Sequence, residues 1–160
     1  MKKLRWPLPA SALIFLIYSV FPASAQIGAP CNMKFWEHVY TPKRLEIVRP
    51  CAAVRGVVLK SSCNHYDGDR KLYLKLDPEF ENLLNAKNMS AQRGLLVVEI
   101  VCDCKLHLKH ACRGFSNPIH VPKKGDYVEV SGSYVKDLNH GWMEIHPATS
   151  ITVLKPAGKP

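Results

Sequence analysis

The chain has 160 residues, with 22 Lys or Arg and 13 Asp or Glu, so its formal charge is +9. A chain of this length can form one compact domain with a core of its own. The class of small peptides that cannot bury a core is therefore excluded. The basic charge favours anionic partners, but it does not choose among nucleic acid, acidic glycan and phospholipid headgroups.

Residues 1–25 have the pattern of a secretory signal. MKKLRW is basic, the following PLPASALIFLIYSVF is largely apolar, and PASA supplies the small residues of a cleavage site. The apolar run is shorter than the roughly 20 residues that a membrane-spanning helix needs. We therefore expect an exported protein, periplasmic or secreted, with no membrane span once the signal is removed. Its 19 basic side chains (22 less Lys2, Lys3 and Arg5) against 13 acidic ones leave a charge of +6.

Six cysteines in an exported chain indicate disulfide bonds. We expect Cys112 to bond to Cys102 or Cys104, and the remaining bonds to involve Cys31, Cys51 and Cys63. A zinc site in CDCKLHLKHAC is the alternative, with ligands among Cys102, Cys104, His107, His110 and Cys112. Its C-x-C spacing departs from the C-x2-4-C pairs typical of structural zinc, so disulfides are favoured.

Short β-strands follow an N-terminal extension over residues 26–50. Runs of β-branched and aromatic residues separated by turn residues predict five strands in a domain spanning residues 51–155, and residues 156–160 are expected to be a loose tail. The five runs are AAVRGVVLK, RKLYLKLD, LLVVEIVC, YVEVSGSYV and the pair WMEIH and TSITVL. RKLYLKLD alternates, whereas LLVVEIVC is apolar on both faces, as in a strand covered on both sides.

One small helical segment is expected over Glu79–Leu84, with Pro78 in its first turn and Asp77 as its cap. Gly56 and Gly132 lie within strands, where glycine allows a sharp bend. Together these features predict an all-β protein with a small helical segment, a five-stranded OB-type Greek-key barrel stapled by disulfides. A two-layer sandwich of the same strands is the alternative.

The stretch HGWMEIHP concentrates the polar side chains of the last hairpin. Strand alternation predicts that Met143 and Ile145 enter the core, and that an outward stripe forms on the opposite face from His140, Trp142, Glu144 and His146. The loop HYDGD joins the first two strands and should lie near this stripe, since the loops after strands one and four frame the binding face of an OB barrel.

These two segments predict a divalent metal site. Its candidate ligands are Asp67, Asp69, His140, His146 and His65, a set that suits zinc, manganese or iron. The alternative is ordinary turn and hairpin chemistry, in which DGD and NHG only shape the backbone and no cofactor is bound.

The sequence also resembles a group of uncharacterised small prokaryotic OB-like proteins. The resemblance runs from about Cys51 to Ile151 and rests on DGD, RGLLVVEIVC, GDYVEVSGSYVKD and HGWMEIHP, which are similar to a shared DGDxH and HGWxEIHP pattern. It implies the OB-like fold and no particular activity. Lys71 stands where the pattern has a histidine, so a metal site that used this histidine would be altered here.

Two functions fit these patterns. The first is an exported binding or scaffold domain for an oligosaccharide, a nucleic acid or an envelope protein, with a binding surface of Lys71, Tyr73, Lys75 and Trp142. An anionic polymer or an envelope protein would be its partner. The second is a metal-dependent hydrolase in which Glu144 activates a metal-bound water. An interaction factor without a small ligand is a third reading, while nucleophile-elbow, phosphate-loop and dinucleotide motifs are missing from the sequence.

Overall fold

The computed structural model describes residues 31–104 and 110–158. The predicted signal segment and His107 therefore lie outside the described residues. Within those two ranges no helix is long and apolar enough to cross a membrane.

Five strands form one sheet that closes on itself. They are β1 (Leu45–Cys63), β2 (Arg70–Leu76), β3 (Leu96–Ile100), β4 (Tyr127–Asp137) and β5 (Met143–Lys155). The order around the closed sheet is β1-β2-β3-β5-β4, and β3 and β5 are the parallel pair among otherwise antiparallel neighbours. All five predicted strand segments are confirmed, and they belong to one sheet rather than to two layers.

Strand β1 is longer than its sequence pattern indicated. It begins at Leu45, inside the predicted extension, and pairs with β4 in its first part and with β2 in its second. The segment before Cys51 was missed because it does not alternate: Ile47 and Val48 are both exposed, and the pairing is irregular between Ile47 and Ala52. This added length lets β1 pair with two neighbouring strands, β4 and β2.

Two glycines lie where neighbouring strands approach each other closely. A Cβ on Gly56 would overlap the carbonyl oxygen of Lys75 on β2, and one on Gly132 would overlap that of Pro147 on β5. The pairing of β4 with β5 also shifts register on both sides of Gly132. The predicted role of these residues within bent strands therefore has a steric basis, since no side chain fits at either position.

The main core lies inside the closed sheet. The inward leucines of β2 (Leu72, Leu74 and Leu76) are buried there, as their alternation predicted. All five residues of β3 are buried, which confirms that both of its faces are covered. A second, smaller cluster packs outside the sheet, where a 3-10 helix (Met33–His38) brings in Phe35 and is followed by Val39.

The helical segments differ from the predicted one. Pro78–Leu83 is a 3-10 helix with Pro78 in its first turn and Asp77 at its N-cap position, as predicted. The Asp77 carboxylate makes no capping hydrogen bond, however, and accepts one from the Tyr127 hydroxyl at 2.6 Å instead. A short α-helix, α1 (Ala86–Ala91), follows and was not predicted, since its sequence AKNMSA has no apolar period.

Three disulfide bonds join Cys31 to Cys51, Cys63 to Cys104 and Cys102 to Cys112. The expected bond between Cys112 and one residue of the C-x-C pair is thus confirmed. No cysteine is free, so the zinc alternative that needed these thiolates is wrong. Disulfides and the β-rich sheet are consistent with an extracytoplasmic protein.

Candidate functional site

A pocket of about 340 Å³ lies where two connecting segments meet. One is the loop L12, residues 64–69 between β1 and β2, and the other is the turn L45, residues 138–142 between β4 and β5. Together they contribute Asn64, Tyr66, Asp67, Asn139 and His140 to the pocket wall. The expected proximity of these two segments is therefore confirmed.

The remaining walls come from the segment before β1, residues 31–44 (the N-terminal segment), and from β2. Tyr40, Thr41 and Arg44 line one side, and Lys71 lies on β2. The ring of Tyr40 meets that of Tyr66 edge to face at 5.7 Å between centroids, which joins the N-terminal segment to L12. The pocket is thus built from three separate parts of the chain and from one strand.

Ordinary turn chemistry shapes both segments. Gly68 and Gly141 have φ angles of 88° and 82°, which L side chains rarely adopt. In L12 the Asp67 carboxylate accepts the Asp69 N–H at 3.0 Å, and in L45 the Asp137 carboxylate accepts the His140 N–H at 3.1 Å. Asp67 and Asp137 therefore both form these turns and fix the positions of side chains in them.

Five ionisable side chains form a buried cluster under the pocket: Asp69, Glu99, Asp137, Glu144 and His146, none more than 1% exposed. Met143 and Ile145 are in the core as predicted, but the stripe on the opposite face is not an outward one at Glu144 and His146. This expectation was wrong because L12 and the N-terminal segment cover that face of β5.

Two permanent cations lie between the buried cluster and the pocket. The Arg44 guanidinium pairs with Asp137, and its nitrogens lie 3.8 Å from Glu144 and 3.9 Å from Glu99. The Lys71 ammonium is 2.8 Å from Glu99 Oε1. Burial disfavours this ammonium, but the charge and hydrogen bond of Glu99, together with the charges of Glu144 and Asp67, outweigh burial and raise the pKa of Lys71. Both cations line the pocket, yet both are already paired with carboxylates.

His146 stands at the centre of the buried cluster. Its Nδ1 is 3.1 Å from Glu144 Oε1 and 3.3 Å from Glu99 Oε2, and its Nε2 is 3.7 Å from Asp69 Oδ2. Burial opposes a charged ring, but Glu99, Glu144 and Asp69 outweigh it and raise the pKa of His146 to about 9. Burial also raises the pKa of Asp69 to about 7, against the attraction of His146.

Glu99 is ionised in the same surroundings. Burial raises its pKa, but the charges of His146, Lys71 and Arg44 prevail, so that the pKa of Glu99 lies below its ordinary value. The side chain comes from β3, in the middle of an apolar strand. A carboxylate at such a position is costly unless cations surround it, which is the arrangement found here.

Glu144 acts as an orienting residue. Its Oε2 accepts the Trp142 indole N–H at 2.8 Å, and its Oε1 faces His146 Nδ1. The Trp142 ring stacks on His140 with centroids 4.2 Å apart, and His140 Nδ1 bonds to Asp137 Oδ2 at 2.7 Å. With both oxygens engaged and no solvent exposure, Glu144 holds the His146 ring in place and lacks the access that a general base needs.

The five predicted metal ligands are only partly brought together. Asp69 and His146 lie within 4.8 Å of each other, and the third member of their group is Glu99, which was not among the predicted ligands. Asp67 lines the pocket, His140 is bonded to Asp137, and His65 is exposed on L12.

The four residues of the predicted binding surface are dispersed. Lys71 lines the pocket, whereas the Tyr73 ring packs under the Lys60 ammonium at 5.0 Å. Lys75 is exposed farther along β2, and Trp142 is half-buried beside its indole hydrogen bond.

Several residues of the site were not identified from the sequence. Glu99 carried a signal, as the single acid in a strand covered on both faces. Arg44, Tyr40 and Tyr66 carried none, because their role depends on how the N-terminal segment folds over L12. Asp137 was not identified either, although it binds both Arg44 and His140.

No protein-family model matches the chain, and comparison with curated proteins gives no match either. The function is therefore argued from the geometry of the pocket and the buried cluster.

Proposed function

We propose that this protein is an exported OB-type domain that binds a neutral, hydroxyl-rich ligand, such as the end of an oligosaccharide, in the pocket between L12 and L45. The observation that supports this proposal is the pocket itself, which is about 340 Å³ in volume and has aromatic and amide side chains on its walls. Ligand sites are typically concave and combine apolar surface with a few convergent polar groups.

The fold supports this proposal through the position of the pocket. The strand order β1-β2-β3-β5-β4 and the short helical segments between β2 and β3 fit an OB-type barrel. In OB barrels the loops L12 and L45 frame the face that takes oligonucleotides and oligosaccharides. Here these loops form the pocket walls.

The walls offer complementary groups for a sugar. The rings of Tyr40 and Tyr66 supply flat apolar surface, and Tyr66 is 67% exposed. The amides of Asn64 and Asn139 provide both donors and acceptors, which suits hydroxyl groups that also do both. Because His140 Nδ1 is held by Asp137, its Nε2 points away from that carboxylate and can meet a ligand.

The charges favour a neutral ligand over a nucleic acid strand. Arg44 and Lys71 are the cations of the pocket, and both are paired with buried carboxylates. Proteins that bind single strands use an unpaired basic track with several stacking aromatics. The carboxylates beneath the pocket disfavour an anion there, so the basic charge of the chain does not make this pocket a phosphate site.

The test is titration calorimetry with defined oligosaccharides and one nucleic acid. Neutral trisaccharides of glucose and of N-acetylglucosamine, an acidic hexuronate trisaccharide and a thymidine dodecamer cover the ligand classes. We expect a neutral trisaccharide to bind, and Tyr66→Ala to weaken it about tenfold through loss of one ring contact. Tyr73→Ala is the matched control, since this tyrosine lies on β2 beneath Lys60.

Each alternative result has a distinct meaning. Tight binding of the dodecamer, weakened by Tyr73→Ala and unaffected by Tyr66→Ala, would move the site to the outer face of β2 and refute the proposal. Failure of all neutral sugars to bind at millimolar concentration would refute the ligand class.

A further inference from the structure

We propose that Asp69, Glu99 and His146 form a closed site for one divalent transition-metal ion, of the manganese or zinc type, beneath the pocket. Each residue offers one ligand atom, and these atoms all lie within 4.8 Å of one another. The three residues come from L12, β3 and β5, so an ion would join three parts of the chain. This inference does not depend on the sugar-binding proposal, because these ligands lie below the pocket rather than on its walls.

Unpartnered buried atoms point to a missing ligand. Among the described residues, His146 Nε2 and Asp69 Oδ2 have no hydrogen-bond partner, although both side chains are at most 1% exposed. Buried polar atoms without a partner are rare and costly, and an absent ion is one of the explanations for them. The two atoms are 3.7 Å apart, which is too long for a hydrogen bond. This distance fits two metal-ligand atoms that face one ion.

The surroundings of His146 match those of a metal-ligating histidine. Such a histidine usually donates its other ring N–H to a carboxylate, which fixes the ring and its tautomer. Here Nδ1 faces Glu144 Oε1 at 3.1 Å, and Glu144 is fixed in turn by the Trp142 indole at 2.8 Å. The Nε2 atom is thereby directed towards Asp69, and a bound ion would take the place of its proton.

The charge balance favours an added cation. The buried cluster and Asp67 together hold five carboxyl groups, against the two permanent cations Arg44 and Lys71 and the ring of His146, whose proton a bound ion would displace. A divalent ion supplies most of the missing positive charge. One imidazole with two carboxylates is a mixed donor set that suits manganese, iron or zinc more than calcium or magnesium.

Lys71 gives the site a distinctive property. Its ammonium is 2.8 Å from Glu99 Oε1, so it competes with a metal ion for the same carboxylate. Replacing Lys71 with Met should therefore strengthen metal binding about tenfold by removing a nearby positive charge. A buried cluster that only balances charges inside the fold would bind no ion in this variant either.

The experiment uses the disulfide-bonded mature protein. It is treated with a chelator, dialysed and titrated separately with Mn²⁺ and Zn²⁺. Elemental analysis measures the bound metal, and thermal unfolding measures its effect on stability. We expect close to one ion per chain and a raised unfolding temperature. His146→Gln and Asp69→Asn, which preserve side-chain size, should lose the ion, and Glu144→Gln should weaken it about 10- to 100-fold.

The matched control is His65→Ala, which removes an exposed histidine of L12 and should leave the stoichiometry unchanged. Circular dichroism identifies variants that fail to fold, and Asp69→Asn covers the case in which His146→Gln does so. The proposal is overturned if the folded wild-type protein takes up neither ion, or if uptake persists in both of those variants. Either result would leave sugar binding by the pocket as a separate question.

Discussion

A single buried amide, Asn88 of α1, should contribute more to stability than any other polar side chain of its helix. It is fully buried, and it makes four hydrogen bonds. Its Nδ2 donates to the carbonyls of Leu95 (3.2 Å) and Met143 (2.9 Å), while its Oδ1 accepts the N–H of Met143 (2.9 Å) and of Asn85 (3.2 Å). At about 1 kcal/mol for each bond, Asn88→Ala should lower the free energy of unfolding by about 4 kcal/mol.

Urea unfolding followed by circular dichroism measures this loss. The control is Ser90→Ala in the same helix, an exposed site whose single bond to the Lys87 carbonyl is 3.5 Å long. It should change the free energy by less than about 0.5 kcal/mol. A loss below about 1 kcal/mol for Asn88→Ala would refute the reasoning, because it would mean that water or relaxation replaces bonds assigned here to one amide.

Two further predictions concern packing and pH. Gly132→Ala should destabilise the protein by about 2–3 kcal/mol, because the added Cβ would overlap the Pro147 carbonyl oxygen. Thermal unfolding measures this loss. The control is Gly158→Ala, whose Cβ would meet nothing within 4 Å and which should leave the unfolding temperature unchanged. Burial raises the pKa of Asp137, but the His140 hydrogen bond and the Arg44 charge lower it below its ordinary value. Its ionised form therefore stabilises the fold above about pH 4, the unfolded value, and this contribution is lost as pH falls through the folded pKa. The difference in unfolding free energy between wild type and Asp137→Asn should accordingly shrink below about pH 4, and a difference constant from pH 6 to pH 3 would contradict the assignment.

Local patterns in the sequence predicted most of the sheet. Alternation placed the inward leucines of β2, and the apolar run LLVVEIVC identified β3 as covered on both sides. Alternation also assigned Met143 and Ile145 to the core. These predictions succeed because a strand's side chains point to its two faces in turn, whatever lies elsewhere in the chain.

The site was harder to predict because its parts come from distant segments. Alternation states which residues share a face of β5, but not whether another segment covers that face. The N-terminal segment does so, and Arg44 reaches Asp137 across 93 positions of sequence. No local pattern marks such a contact, so Glu144 and His146 were expected at the surface.

The two disulfide bonds beside L12 have a consequence for the order in which the protein matures. Cys63, which directly precedes this loop, is bonded to Cys104, which follows β3. The Cys104 N–H donates to the Gly68 carbonyl at 2.8 Å, and the Cys102 N–H donates to Asp69 Oδ1 at 2.9 Å. The backbone groups that aim Asp69 therefore belong to cross-linked residues. A chain folded in a reducing compartment would lack these constraints, so L12 and the side chain of Asp69 would be fixed in place only after oxidation of the thiols.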